Sequence, residues 1–406
     1  MESSSTKTKP HKNKPQKYSF LKPNNKTYLP KSFQKPKPLN TKHHSKKKKL
    51  SSHHHPQPLP TPPPLQLPET PPPLPSPPIP SILTHLQPYF HINNLHSDYI
   101  RSPLLLSDNR LATASGDGSL SICSINFTTK QWSQDIKLLK AHSDWIQSLM
   151  ELPNNRLVSC SGDKTIKIWR IYPDILIHLH TITTHTDWVR KVISLSPTVF
   201  ASCSDDKTIK LHSSEHQHHY QEITTFVNED AICSIIKLSN RDMLIASCAS
   251  LRIHCYDLCL YKKVHTVKHV YAFLPTHMIE LHGGLIAVSS DTNDKPIVII
   301  ECEGFTVVKE LKEKEFVMYP STICEWDMFS FVYVYNGCCM QVARKEKEFE
   351  VVFKEKIDTN VEGYYGMIKV ECECECGNEK KKEKLLVVEN KSYGVTIVKG
   401  VVVNNE

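Results

Sequence analysis

A histidine, a hydroxyl residue and an aspartate recur together three times in this chain of 406 residues. The groups are His96, Thr113 and Asp117, then His142, Ser159 and Asp163, then His185, Ser202 and Asp206. A hydroxyl, an imidazole and a carboxylate are the parts of an acyl-transfer triad, in which the base activates the nucleophile and the acid orients the base. The spacing argues against that chemistry. His to Asp is 21 residues in every copy, and the copies step by 46 and then 43 residues whichever of the three positions is followed. An active site is built once, whereas a constellation repeated at a fixed offset belongs to a repeated structural unit.

The elements that position these residues are short strands. From His142 to Trp169 the chain reads as an apolar strand, a PNNR turn, a second strand LVSCS, an acidic tight turn GDK and a third strand TIKIW. A period of about 40–45 residues with three or four strands per unit is the mark of propeller blades. His142, Ser159, Asp163 and Trp169, at this spacing, resemble the WD40 repeat. The resemblance implies an all-β fold, a seven-bladed WD40-type β-propeller, in which these four side chains form one hydrogen-bonded structural chain rather than a catalytic site. It also implies that His96, Thr113, Asp117, His185, Ser202 and Asp206 do the same work in the neighbouring blades. Blade one carries Cys123 and blade three His212 at the Trp169 place, so both networks are expected to be truncated at the outer end and both blades weaker. None of the three histidines has the preceding Gly, and Arg170 stands where the family often has Asp.

The strand LTHLQPYFHI, just before His96, has no blade of its own to complete; in WD40 propellers such a strand closes the last blade. Clear repeats span residues 90–220, and residues 221–406 keep the rhythm while losing the motif. Blade four has Tyr256 and Asp257 for Trp-Asp, with Ser247 near the phase of Ser202. Gly283-Gly284 marks a turn in blade five and Asn336-Gly337 a hairpin in blade six. Blade seven contains the alternation Glu371 to Cys376, read as one strand of a hairpin closed by a lysine-rich GNEKKKEK turn. Its thiols lack the CxxC spacing of a metal site. Strand counting gives seven blades over residues 81–406, about 46 residues each, with six and eight as the alternatives.

Ahead of the propeller the composition changes sharply. Residues 1–50 hold fifteen Lys, no Arg and one acid, Glu2; the whole chain is only +8, so residues 51–406 are net acidic. Residues 1–55 have too few large apolar groups to offset ordering entropy and read as a disordered basic tail. Its block Lys46, Lys47, Lys48 and Lys49 suits a nuclear-import signal, RNA or an anionic surface. Residues 56–80 hold fourteen of the 28 prolines and form a proline-rich linker; Pro71–Pro75 offers the spacing that SH3 or WW domains accept, and a stiff spacer is the competing reading. His53–His55 lacks companions for a metal site. The fourteen Cys sit mostly in apolar strand runs and read as buried free thiols in a reducing compartment. No apolar stretch suggests a signal peptide or a membrane span, so an intracellular location, cytoplasmic or nuclear, is expected.

No GxSxG, P-loop, HExxH or dinucleotide turn occurs, and twelve Gly leave little material for phosphate-cradling loops. The expectation is a non-enzymatic protein without cofactor or metal. Each repeated His is followed by an acid and then an aromatic: Asp98 and Tyr99, Asp144 and Trp145, Asp187 and Trp188, the last joined by Arg190. The resemblance places this position at the favoured partner surface of WD40 propellers, and large aromatics beside acids make interface anchors. These residues are the candidate protein-binding patch, suited to a basic segment; packing of both tryptophans between blades is the competing reading. The function expected is a protein-interaction scaffold or adaptor, with an RNA- or ribonucleoprotein-associated factor, or a ubiquitin-ligase substrate receptor, as alternatives.

Overall fold

The computed structural model describes residues 82–216, 219–250, 252–267, 275–290, 297–311, 322–327, 329–335, 338–345, 348–356, 367–376, 379–389 and 394–402. The basic tail with Lys46–Lys49, the proline-rich linker and His53–His55 lie outside them, as does the Asn336-Gly337 dipeptide.

A first strand, β1 (Leu83–Ile92), precedes six consecutive four-stranded units. Blade one comprises β2 (Ile100–Leu105), β3 (Leu111–Ser115), β4 (Leu120–Asn126) and β5 (Gln131–Leu138), and blade two β6 (Ile146–Leu152), β7 (Arg156–Ser161), β8 (Ile166–Ile171) and β9 (Leu176–Ile182). Blade three has β10 (Val189–Ser196), β11 (Val199–Ser204), β12 (Thr208–His216) and β13 (His219–Val227). Blade four has β14 (Ile232–Lys237), β15 (Met243–Cys248), β16 (Arg252–Asp257) and β17 (Lys262–Val267). Blade five has β18 (Pro275–Leu281), β19 (Leu285–Ser290), β20 (Ile297–Glu301) and β21 (Val307–Leu311). Blade six has β22 (Ile323–Asp327), β23 (Ser330–Tyr335), β24 (Cys338–Lys345) and β25 (Glu348–Lys356). Last come β26 (Met367–Cys376), β27 (Glu379–Glu389) and β28 (Val395–Val402).

Those three strands take β1 as their fourth, in the order β1-β28-β27-β26, so the described residues form seven antiparallel four-stranded sheets. The pairing runs from Leu83 opposite Val402 to Ile92 opposite Val395, which places the amino-terminal strand on the outside of blade seven as expected. Innermost strands of successive blades touch in a closed cycle, β2 to β6, β10, β14, β18, β22, β26 and back to β2. Closure of this kind removes the open inner edges that would otherwise template aggregation.

The apolar core is divided into seven layers, one between each pair of adjacent blades. Ala112, Ile122, Leu149 and Trp169 join blades one and two, while Val158, Ile168, Val192 and Phe200 join blades two and three. Leu86, Trp326, Val332 and Leu386 join blades six and seven; Ile92, Leu111, Val387 and Ile397 close the ring onto blade one. Second strands are sandwiched on both faces, which is why LVSCS and FASCS are apolar or small throughout: all six residues of β7 are buried. Outer strands face solvent, and β17 is exposed over its first four residues. Cys160, Cys203 and Cys248 are buried free thiols of this layer system.

Turn chemistry follows the sequence. Asn154 and Asn155 of the PNNR turn have φ of 63° and 52°, values that Asn tolerates better than most side chains. Gly283 and Gly284 have φ of 83° and 73° and join β18 to β19. One connection differs from expectation. The lysine-rich segment of blade seven is mostly strand, not turn: β27 begins at Glu379, and Glu371, Glu373 and Glu375 lie opposite Lys384, Lys382 and Lys380. The backbone pairing runs on to Cys376 opposite Glu379, a length that a turn-forming reading of GNEKKKEK overlooked.

Candidate functional site

In blade two the histidine, serine, aspartate and tryptophan form one chain of donors. Trp169 Nε1–H donates to Ser159 Oγ at 2.9 Å, and the Ser159 hydroxyl lies 2.7 Å from His142 Nε2. His142 Nδ1 stands 2.8 Å from Asp163 Oδ2. One assignment of protons satisfies every atom: the hydroxyl donates to Nε2, and Nδ1–H donates to the carboxylate. The aspartate also caps the tight turn, since Asp163 accepts the Ser143 and Thr165 backbone N–H groups and the Thr165 hydroxyl. Ser159 is fully buried and its oxygen is spent on two partners, so no substrate carbonyl reaches it as a nucleophile would require.

Blade three has the same relay with a different end. His185 bridges Asp206 and Ser202 at 2.8 Å each, and His212 Nε2 lies 2.9 Å from Ser202 Oγ. The expected truncation does not occur, because the His212 ring nitrogen occupies the place of the indole N–H. The substitution leaves His212 Nδ1 buried without a hydrogen-bond partner. In blade one the truncation is real. Cys123 lies opposite Leu111, as Trp169 lies opposite Leu157, but its thiol is directed to Ser121 Oγ at 3.8 Å. There His96 bridges Thr113 and Ser119, at 2.8 and 2.7 Å, and Ser119 passes the relay to Asp117. Blade four ends on Tyr256, whose hydroxyl donates to Asn228. Ala246, not Ser247, takes the register of Ser159 there, two pairs from the aromatic.

Electrostatics follow from this burial. Burial lowers the pKa of His142 and His185 despite their aspartates, and brings His212 down to about 3. Burial alone would raise Asp163, but hydrogen bonds from His142, Thr165 and Ser143 outweigh it and hold the carboxyl below its usual range. Asp206 is lowered in the same way by Thr208, Thr186 and His185. The histidines are therefore neutral and the aspartates ionised near neutral pH.

Beside this strut lies the aromatic rim. Trp145 and Trp188 meet across the junction of blades two and three, ring centroids 5.8 Å apart, with Trp145 39% exposed. The Arg101 guanidinium, from blade one, sits 4.2 Å from the Trp145 centroid, and Arg190 sits 5.0 Å from that of Trp188. Four side chains from three blades thus form an Arg–Trp–Trp–Arg ladder, each cation contact contributing about 0.5–1 kcal/mol. Tyr99, 38% exposed, holds the equivalent position in blade one. Asp98, Asp144 and Asp187 each accept the backbone N–H of the aromatic that follows, so part of the rim's acidity is used to fix the loops.

In blades one and two these carboxylates turn in over a glycine. A Cβ on Gly162 would lie 2.7 Å from Asp144 Oδ2, and one on Gly116 2.5 Å from Asp98 Oδ2. Blade three has Asp205 in that place, and its carboxylate takes the Arg190 fork at 2.8 and 2.5 Å. Sequence reasoning missed Arg101 and the turn hydroxyls Ser119, Thr165 and Thr208. Both signals were present: each hydroxyl lies two residues after a turn aspartate, and Arg101 follows Tyr99 as Arg190 follows Trp188.

A WD40 family model, described as "WD domain, G-beta repeat", matches residues 133–170 and 177–213. Each match begins in the outer strand of one blade and ends in the third strand of the next, so the sequence repeat is one strand out of phase with the structural blade. No curated protein sequence matches the chain. Among solved structures the fold is similar to the WD40 β-propeller domain of Doa1, with a TM-score of 0.57 and 13% identity over 80% of this chain and 98% of that one. The chain thus carries two matched WD40 repeats within a fold whose described residues form the seven four-stranded blades of a β-propeller.

Proposed function

We propose that the propeller is a non-enzymatic interaction platform that holds a protein segment on the face bearing Tyr99, Trp145, Trp188 and Arg190. WD40 propellers are generally non-enzymatic binding scaffolds. The observation that carries the reading is the Arg–Trp–Trp–Arg ladder, which places large, half-exposed aromatics beside exposed Asp187 on one face of three blades. Aromatics with preset geometry lose little entropy on binding and are enriched among interface anchors. A segment carrying Lys or Arg with aliphatic neighbours complements both the ring faces and the loop aspartates.

The basic residues 1–55 support a second reading, in which Lys46–Lys49 engage RNA or another polyanion while the propeller docks protein neighbours. Fifteen lysines in fifty residues are the observation behind it. The proline-rich linker would serve as a spacer or an SH3- or WW-domain ligand, and an intracellular setting suits both readings. No helix among the described residues is long and apolar enough to cross a membrane. Affinity capture with the full chain, a chain lacking residues 1–55 and the Trp145→Ala/Trp188→Ala variant separates them. The platform reading expects partners to be lost with the tryptophans and retained without the tail; the polyanion reading expects salt-sensitive losses with the tail.

A further inference from the structure

Arg170 follows the strut tryptophan of blade two, where blades one, three and four carry Ser124, Ser213 and Asp257. Its place is the face opposite the aromatic rim. Trp145 stands just before β6, and β6 runs seven residues, about 20 Å, to the turn that holds Asn154 and Asn155. There the β6–β7 and β8–β9 turns of blade two meet the β2–β3 turn of blade one around an open cleft of about 480 Å³. Arg110, Asn154, Asn155, Arg170, Tyr172 and Pro173 are among the residues that line it.

The two arginines of the cleft differ in what they already hold. Arg110 Nε donates to Asp108 Oδ2 at 2.9 Å, its Nη2 lies 2.8 Å from the same oxygen, and its Nη1 donates to the Pro173 carbonyl at 3.0 Å. Asp108 and Arg110 therefore offset each other. Arg170 donates from Nη1 to the Asn154 carbonyl at 3.2 Å and has no ion pair among the described residues. The side-chain amides of Asn154 and Asn155 and the Tyr172 hydroxyl are exposed and make no hydrogen bond among the described residues. The wall beside them is apolar: Tyr172 and Ile175, 46% and 51% exposed, belong to one turn in which the Tyr172 N–H donates to the Ile175 carbonyl at 3.0 Å.

We propose that this cleft is a second docking surface, for an extended acidic peptide segment that sets an Asp or Glu carboxylate on Arg170, its main chain along Asn154 and Asn155, and an apolar side chain against Tyr172 and Ile175. A guanidinium offers a carboxylate two parallel donors, and an asparagine amide carries both a donor and an acceptor, as a peptide unit does. A basic segment would meet the charge of Arg170 and find Asp108 already paired. A small free anion would need more converging cations than Arg170 supplies. The surface is independent of the rim reading, from which the length of β6 separates it.

The test is fluorescence anisotropy of a labelled short peptide alternating Glu and Leu, titrated with the full chain, beside the same peptide with Gln in place of Glu. Saturable binding of the Glu peptide is expected, at least about 10-fold tighter than that of the Gln peptide, and weakened about 5-fold or more in Arg170→Gln. The Trp145→Ala/Trp188→Ala variant is expected to bind like the parent, and loss of binding there would move the peptide to the rim and overturn the cleft. The lysine-rich tail also attracts acidic chains, so undiminished binding by a folded Arg170→Gln variant assigns the peptide to the tail and overturns the cleft as well. Absence of binding by the parent chain, or equal binding of the Gln peptide, does the same. If Arg170→Gln fails to fold by circular dichroism, Tyr172→Ala decides: loss of about 3-fold or more supports the surface, and parental affinity refutes it.

Discussion

Ser159 and Ser202 do the same work in two blades that end differently. Each hydroxyl donates to a buried imidazole and accepts from a ring nitrogen, of Trp169 in one case and of His212 in the other. Removing either oxygen leaves a buried donor and a buried acceptor without partners, at a cost of about 1–3 kcal/mol. Ser159→Ala and Ser202→Ala are therefore expected to lower stability to a similar extent in urea denaturation, whereas a truncated blade three would make Ser202→Ala the milder change. Acid acts on the same residues. His142, His185 and His212 have folded pKa values below the 6.5 of a free imidazole, His212 at about 3. Below pH 6.5 the unfolded chain thus binds more protons than the folded one, and stability falls with pH by up to about 1.4 kcal/mol per unit for each histidine. Asp163 and Asp206, with lowered values, withdraw their contribution only as pH drops below the ordinary carboxylate range. Denaturation midpoints are expected to be lower at pH 5.5 than at 7.5, and equal midpoints would show that these imidazoles are not held neutral.

At the scale of elements, the strands were legible wherever pattern and turn chemistry agreed. The 21-residue offset found blades one to three, and alternation with Gly283-Gly284 found the later ones, because an apolar face must still meet its neighbour when the polar motif has gone. Legibility failed where a residue's partner lies elsewhere in the chain. His212 gave no sign that its ring could stand in for an indole, since that depends on distance to Ser202. The lysines of β27 looked like a solvated turn until set opposite the glutamates of β26. Among the candidate site residues, Tyr99, Trp145 and Trp188 were evident from their place after each acid, while the stacking of Arg101 on Trp145 spans 44 positions and two blades. The closing strand β1 offers a direct test of the ring. Deleting residues 82–92 exposes the edge of β28 and removes Leu83, Leu86 and Ile92 from two inter-blade layers. Each fully buried Leu or Ile contributes about 1.5–3 kcal/mol, so the deletion is expected to unfold or oligomerise the chain in size-exclusion chromatography. A monomer with parental melting would mean that closure is dispensable.

For the whole molecule, seven apolar layers hold the ring and the struts fix its loops. That division explains how blades four to seven keep the fold without the His–Ser–Asp relay. It also frees the rim: the aromatics stand beside the strut rather than within it, and their ladder lies between blades where loops from three repeats converge. Trp145 and Trp188 support each other by roughly 0.5–1.5 kcal/mol, a small part of the stability of a ring with seven layers. The account's central claim is that this face binds a protein and that the repeated polar residues do not carry the function. The most direct test compares the full chain with its Trp145→Ala/Trp188→Ala variant in affinity capture, with thermal melting as the control. The prediction is loss of captured partners with little change in melting temperature; capture of every partner by a variant that melts like the parent would contradict it.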